Sequence, residues 1–193
     1  MSRFDELYDE ILTMEGVFSR VKNRKVKQGN SQWFDKLKKV NNLDELFKDA
    51  LNAERDKFNT RSMEANVEGK HVNIDIRGDV VPDNVIRVIK TAFSNIGTVQ
   101  TLLAKKIADD HNKPGDGRKG PWGWKPDKKY HARDVINVIR FETFDVRVSE
   151  KGTKFNLYFY DGDLYGGHVI VVHDAINPKS GAVQKDFSYT IEG

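Results

Sequence analysis

Residues 141–174 read FETFDVRVSEKGTKFNLYFYDGDLYGGHVIVVHD. Apolar and polar positions alternate through FETFDVRV, Lys151-Gly152 supplies a turn, and KFNLYFYD resumes the alternation. A period of two with aromatic and β-branched residues is the pattern of half-buried strands. GGHVIVVHD follows as a third strand and KDFSYTI (185–191) as a fourth, so the last third of the chain reads as a four-stranded antiparallel meander.

Upstream, residues 63–77, MEANVEGKHVNIDIR, alternate on either side of Glu68-Gly69-Lys70. They predict a β-hairpin that joins the meander in an antiparallel sheet. After Pro82 a long helix is expected through 83–112, with Val85, Ile86, Ile89, Phe93, Ile96, Val99, Leu103 and Ile107 as its apolar stripe. Gly97 falls inside it and weakens it locally. Residues 112–129, NKPGDGRKGPWGWKPDKK, are a long Gly-, Pro- and Lys-rich loop, and HARDVINVIRF (131–141) a short helix.

The N-terminal third reads as helical. Phe4, Leu7, Ile11, Leu12 and Met14 recur at helical spacing. In NNLDELFKDALNAERDKF, Asn42 is placed to cap a helix carrying Leu43, Leu46, Phe47, Ala50, Leu51 and Phe58 on one face. Between these helices, residues 20–39 hold eight basic residues and one acid, whereas residues 1–19 hold five acids and one Arg. The asymmetry reads as a solvated linker facing an acidic helix. Residues 1–62 thus form an N-terminal helical region and 63–193 an α+β domain, because helices and strands do not alternate strictly.

Composition narrows the function. The chain has 193 residues and a net charge of +3, too little for a general nucleic-acid coat. It has no cysteine, which excludes disulfides, thiol nucleophiles and Cys-ligated metals. The acidic start MSRFDELYDEIL lacks the basic and apolar regions of a signal peptide, and no apolar run approaches a membrane span. The expected compartment is the cytoplasm.

Gly115–Gly120 spells G-x-G-x-x-G, but it follows a helix and precedes Pro121, the wrong context for a dinucleotide site. Asp161-Gly162-Asp163 opens like a calcium loop, yet Tyr165 and Val172 occupy the fifth and twelfth positions where oxygen ligands belong. Asp161, Asp163, His168, His173 and Asp174 crowd together with residue types suited to a metal or to acid–base work. His168 and His173 are five apart, so a regular strand turns them to opposite sides. The structural alternative has Asp161 and Gly162 shaping a turn, Asp163 capping backbone amides and His168 filling a polar niche. In the basic loop, Trp122 and Trp124 stand among Arg118, Lys119, Lys125, Lys128 and Lys129. That set can anchor the loop, form hot spots for a protein partner, or stack on nucleic-acid bases.

The stretch 155–172, FNLYFYDGDLYGGHVIVV, resembles the C-terminal signature of an uncharacterised bacterial family, domain of unknown function 2262. The matching residues are Phe159, Asp161, Gly162, Asp163, Leu164, Tyr165, Gly167 and His168. The resemblance covers about residues 63–193 and leaves 1–62 outside. It implies a small accessory protein of a bacterium or phage, without an established activity. Together these readings point to a binding protein that neutralises or modulates another protein, in the manner of an immunity, inhibitor or anti-defence protein. A toxin or defence effector is its expected partner, with Arg118, Lys119, Trp122, Trp124, Lys125, Lys128 and Lys129 as the contact residues. The balance leans away from an enzyme, with no cofactor and no metal expected. The alternatives are a nucleic-acid-binding accessory protein and a metal-dependent hydrolase built on Asp161, Asp163 and His168.

Overall fold

The computed structural model describes residues 37–79, 81–113 and 128–193. Strand β1 (Lys39–Val40) is followed by helix α1 (Leu43–Asn52) and the hairpin β2 (Thr60–Val67) and β3 (Lys70–Arg77). Helices α2 (Val85–Ser94), α3 (Ile96–Asn112) and α4 (Ala132–Ile136) lead to β4 (Arg140–Ser149), β5 (Gly152–Tyr160), β6 (Val169–His173) and β7 (Ser188–Glu192). The seven strands form one sheet in chain order. The protein is α+β, as its pattern of elements predicts. The boundary expected at 62 falls inside β2, and β1 and α1 share the sheet and core with the later elements.

The C-terminal meander and the 60–77 hairpin are antiparallel, but the sheet as a whole is mixed. β1 pairs with β2 in parallel, and β3 with β4 in parallel. The wholly antiparallel sheet expected from the alternation is therefore corrected. Three helices separate β3 from β4, and this crossover returns the chain to the end of the sheet where β3 began.

Alternation then sends side chains to two faces, one carrying the main core and the other a smaller buried cluster of Tyr158, Val169 and Val171, so that β6 is buried on both. Val72, Phe144, Leu157, Val172 and Tyr189 lie side by side across five strands, and Ile74, Val146 and Phe155 form the next row. These rows meet Leu46, Phe47, Val88, Ile89, Phe93, Val99, Leu103 and Ile107 of the helices in one core. Phe144 is completely buried at the junction, stacked on Phe155 at 5.6 Å and tilted against Phe93 of α2 at 5.9 Å.

Local chemistry explains where the helices stop. Asn42 caps α1 as expected, its Oδ1 accepting from Glu45 N at 3.0 Å. The helix ends at Asn52 instead of reaching Phe58, which is 61% exposed. Past the helix, the Asp56 carboxylate accepts from Phe58 N (2.8 Å) and Thr60 N (2.9 Å), fixing a turn in place of further helix. The expected long helix is two helices that meet at Asn95. Asn95 donates its amide to Gly181 O at 3.0 Å, tying the break to the segment after β6. Gly181 sits at φ +75°, where a Cβ would come within 2.4 Å of Val88 O. Gly97 lies just after the break, within α3, where an added Cβ would meet nothing within 4 Å.

Two substitutions should separate core from surface. Phe144→Ala removes a buried ring between two others and should lower unfolding free energy by about 3–5 kcal/mol. Gly97→Ala should raise it by about 0.5 kcal/mol, since backbone freedom is lost only from the unfolded chain. Urea unfolding of both variants is the measurement.

Candidate functional site

The D-G-D-L segment bridges β5 and β6, and its organising group is Asp161. This side chain is completely buried. Its Oδ1 accepts from Asp163 N at 2.9 Å, and its Oδ2 from Tyr165 N at 2.8 Å and His168 N at 3.1 Å. Asp161 N in turn donates to His168 O at 3.3 Å, closing the neck of the loop. Leu164 is buried in the core beneath it. Gly162 has φ +61°, and a Cβ there would lie 2.3 Å from Val138 O, so the loop presses its backbone onto the α4–β4 connection. Gly167 has φ +84°, and a Cβ there would lie 3.6 Å from Asp163 Oδ1.

The amide-capping role expected of Asp163 thus belongs to Asp161. Burial decides it: three inward-turned amides surround the Asp161 carboxylate, whereas Asp163 is exposed at φ +66° and accepts from Tyr160 Oη at 2.9 Å. That bond is the main cause holding the Tyr160 phenol above its ordinary pKa. The His168 ring lies so close to Gly193 that a Cβ there would fall 2.8 Å from Cδ2. His173 instead sits 3.2 Å from Thr190 Oγ1. Among the described residues no three His, Asp or Glu side chains converge as a metal would require.

Of the expected contact residues, Arg118, Lys119, Trp122, Trp124 and Lys125 lie outside the described residues. Lys128 and Lys129 are exposed where the chain re-enters the fold, Lys128 Nζ standing 4.8 Å from the centre of the Tyr130 ring. The two ends of this segment are clasped together. Asn112 Nδ2 donates to Tyr130 O at 2.7 Å, and Asn112 Oδ1 accepts from Tyr130 N at 3.1 Å. Beside the clasp, Asp110 accepts from Lys113 Nζ (2.6 Å) and Tyr189 Oη (3.2 Å). Burial opposes ionisation of Asp110, but these two bonds and the charges of Lys113 and Lys106 outweigh it and hold the carboxyl below its ordinary value. Burial pushes the neighbouring Tyr165 phenol up to about 12.

Sequence reasoning missed a third feature, on the sheet face opposite the core. The register sets Glu64, Asn73, Asp145, Asn156, His173 and Ser188 in one lateral row across six strands. Asp145 is 3% exposed at its centre, accepting from Asn73 Nδ2 at 2.7 Å and Asn156 Nδ2 at 3.3 Å. Arg147 Nε approaches Asp145 Oδ2 at 3.3 Å as an ion pair without hydrogen-bond alignment. In the next row His71 meets Thr143 Oγ1 at 2.9 Å through Nδ1, while its Nε2 reaches Glu64 Oε2 at 3.3 Å. Tyr158 lies beside them, its phenol raised by burial and then by the Asp145 charge. A signal was present: Asn73, Asp145 and Asn156 are poor strand formers at mid-strand positions, where packing alone favours Thr or Val.

Comparison of the chain with known protein families, curated proteins and solved structures finds no match.

Asp161→Asn and Asp163→Asn, equal changes two residues apart, should differ sharply. The first sets an amide group against a backbone donor and should lower stability by about 2 kcal/mol or more. The second, exposed and tolerant of φ > 0, should shift it by no more than about 0.5 kcal/mol. Thermal and urea unfolding would show this. For Asp110, a folded pKa below the unfolded one means a contribution fully present above the unfolded value of 3.8 and lost as pH falls through the folded one. Asp110→Asn should therefore flatten the acid limb of the stability–pH curve.

Proposed function

We propose that this chain is a cytoplasmic binding protein that neutralises or modulates another protein, of the immunity, inhibitor or anti-defence type. The observation supporting this reading is the polar network fixed on the sheet face opposite the helical core. Its hydrogen-bonding groups are fixed on regular strands, and Asp145, Asn73, Asn156, His71 and Thr143 are held by one another. A surface whose polar groups are already ordered loses little entropy when a partner docks. Its charges alternate in sign, with Glu64, Asp75 and Glu192 interleaved among Arg77, Arg147 and Lys154. That mixture suits a protein surface of complementary mixed charge better than the uniform stripe a phosphate backbone selects. Trp122 and Trp124 would add aromatic anchors from the 112–129 segment.

The basic 20–39 and 112–129 segments favour a second reading, a nucleic-acid-binding accessory protein. A metal-dependent hydrolase is the weaker alternative, because both Asp161 oxygens are engaged by backbone amides. The D-G-D-L…G-H stretch (161–168), which resembles domain of unknown function 2262, fits the same accessory role.

Immobilised full-length chain should retain one stoichiometric protein from lysate of its source. Lys154→Glu, on the outer face, should weaken that complex several-fold, chiefly through association rate. Trp122→Ala or Trp124→Ala should weaken it by about 2 kcal/mol, roughly thirtyfold. Failure of any protein to bind stoichiometrically, together with retention of RNA or DNA that declines steeply with salt, would replace this reading with the second.

A further inference from the structure

A sheet edge offers a row of unpaired N–H and C=O groups, and monomeric proteins usually blunt it with prolines, lysines, bulges or very short strands. The two edges of this sheet differ. β1 has two residues, too few to template another strand. β7 has five, Ser188–Glu192, and no described strand pairs with its outer side. It contains no proline and no lysine, and its register with β6 runs unbroken from Val169–Glu192 to His173–Ser188. Ile191, beside Ile170 on the core side of the sheet, is nevertheless 40% exposed. Among the described residues only Phe58 is another large apolar side chain so exposed.

We propose that β7 pairs antiparallel with β7 of a second copy of this chain, about a twofold axis through Thr190, so that two sheets become one. The strand is self-complementary in that register. Thr190 faces Thr190, Tyr189 faces Ile191 and Ser188 faces Glu192. On the core side each Ile191 is covered by the other copy's tyrosine ring, an aromatic–β-branched pair of the kind that stabilises sheets. On the outer side the two threonines pair, and neither Glu192 meets an acid. Centring the axis on Tyr189 instead would set Asp186 against Glu192 twice. The contact is isologous, so it closes as a dimer and leaves the two-residue β1 edges outermost. This inference does not rest on the partner-binding reading; it places a second interface at the sheet edge, beside the outer face.

Sedimentation velocity and light scattering of the full chain at about 100 µM, a concentration that populates even modest self-association, test it. The wild-type mass should be twice 22.1 kDa. Thr190→Lys and Thr190→Glu, at an exposed position, should each keep the wild-type circular dichroism and cooperative unfolding and run at 22.1 kDa, because like charges would face each other across the axis. An equimolar mixture of the two variants should recover the dimer mass. A wild-type chain at 22.1 kDa under these conditions overturns the proposal. So does a dimer that tolerates Thr190→Lys, or a mixture of variants that stays monomeric, since each removes the self-opposed threonine.

Discussion

Six consecutive residue pairs, from His71–Thr143 to Ile76–Val148, join β3 to β4 in parallel at the middle of the sheet. A parallel pair forms only if the intervening chain crosses a face of the sheet, and here that crossing carries α2, α3 and α4. The same pairing aligns Val72, Ile74 and Ile76 with Phe144, Val146 and Val148, so one face presents an unbroken apolar surface to those helices. Phe144 then stacks on Phe155 and meets Phe93 at a tilt, while the opposite face carries Asp145 and its partners beside the buried Tyr158, Val169 and Val171. Shifting this register by one residue would exchange the two faces.

Leaving a buried carboxylate unpaired is costly, and the buried Asp161 and Asp145 are each tied to fixed partners. Asp161 and Asp145 show two ways of doing so. Asp161 is satisfied by the backbone of its own loop, within seven residues, and its effect is local: it gives β5–β6 a rigid connection seated on Val138. Asp145 is satisfied by side chains from neighbouring strands, so its environment exists only once β3, β4 and β5 are paired. The first secures the fold, and the second gives the outer face a fixed pattern of donors and acceptors. The Asn112–Tyr130 clasp holds together the two residues that flank the basic segment.

A rigid outer face and an unprotected edge are adjacent parts of one sheet. Their chemistry differs: the face offers mixed charges and ordered polar side chains, whereas the edge offers backbone groups and one exposed isoleucine. Under the two proposals, a protein partner would read the former through complementary charge and a second strand the latter through main-chain pairing, using different groups.

The sequence alone determined the features set by short-range chemistry. Period-two alternation marked the hairpin and the meander strands, and Asn42 announced the start of α1. These depend on neighbours a few residues away, where spacing and capping chemistry act directly. Tertiary structure alone decided the rest. The parallel β3–β4 joint pairs residues 72 positions apart, and alternation carries no information on strand direction. The break at Asn95 is held by Gly181, and the stop of α1 by a turn that pairing of β2 and β3 makes worthwhile. Asp161 rather than Asp163 became the organising carboxylate because only the folded chain shows which one is buried. Asn73, Asp145 and Asn156 became one network because register, not proximity in the chain, makes lateral neighbours in a sheet.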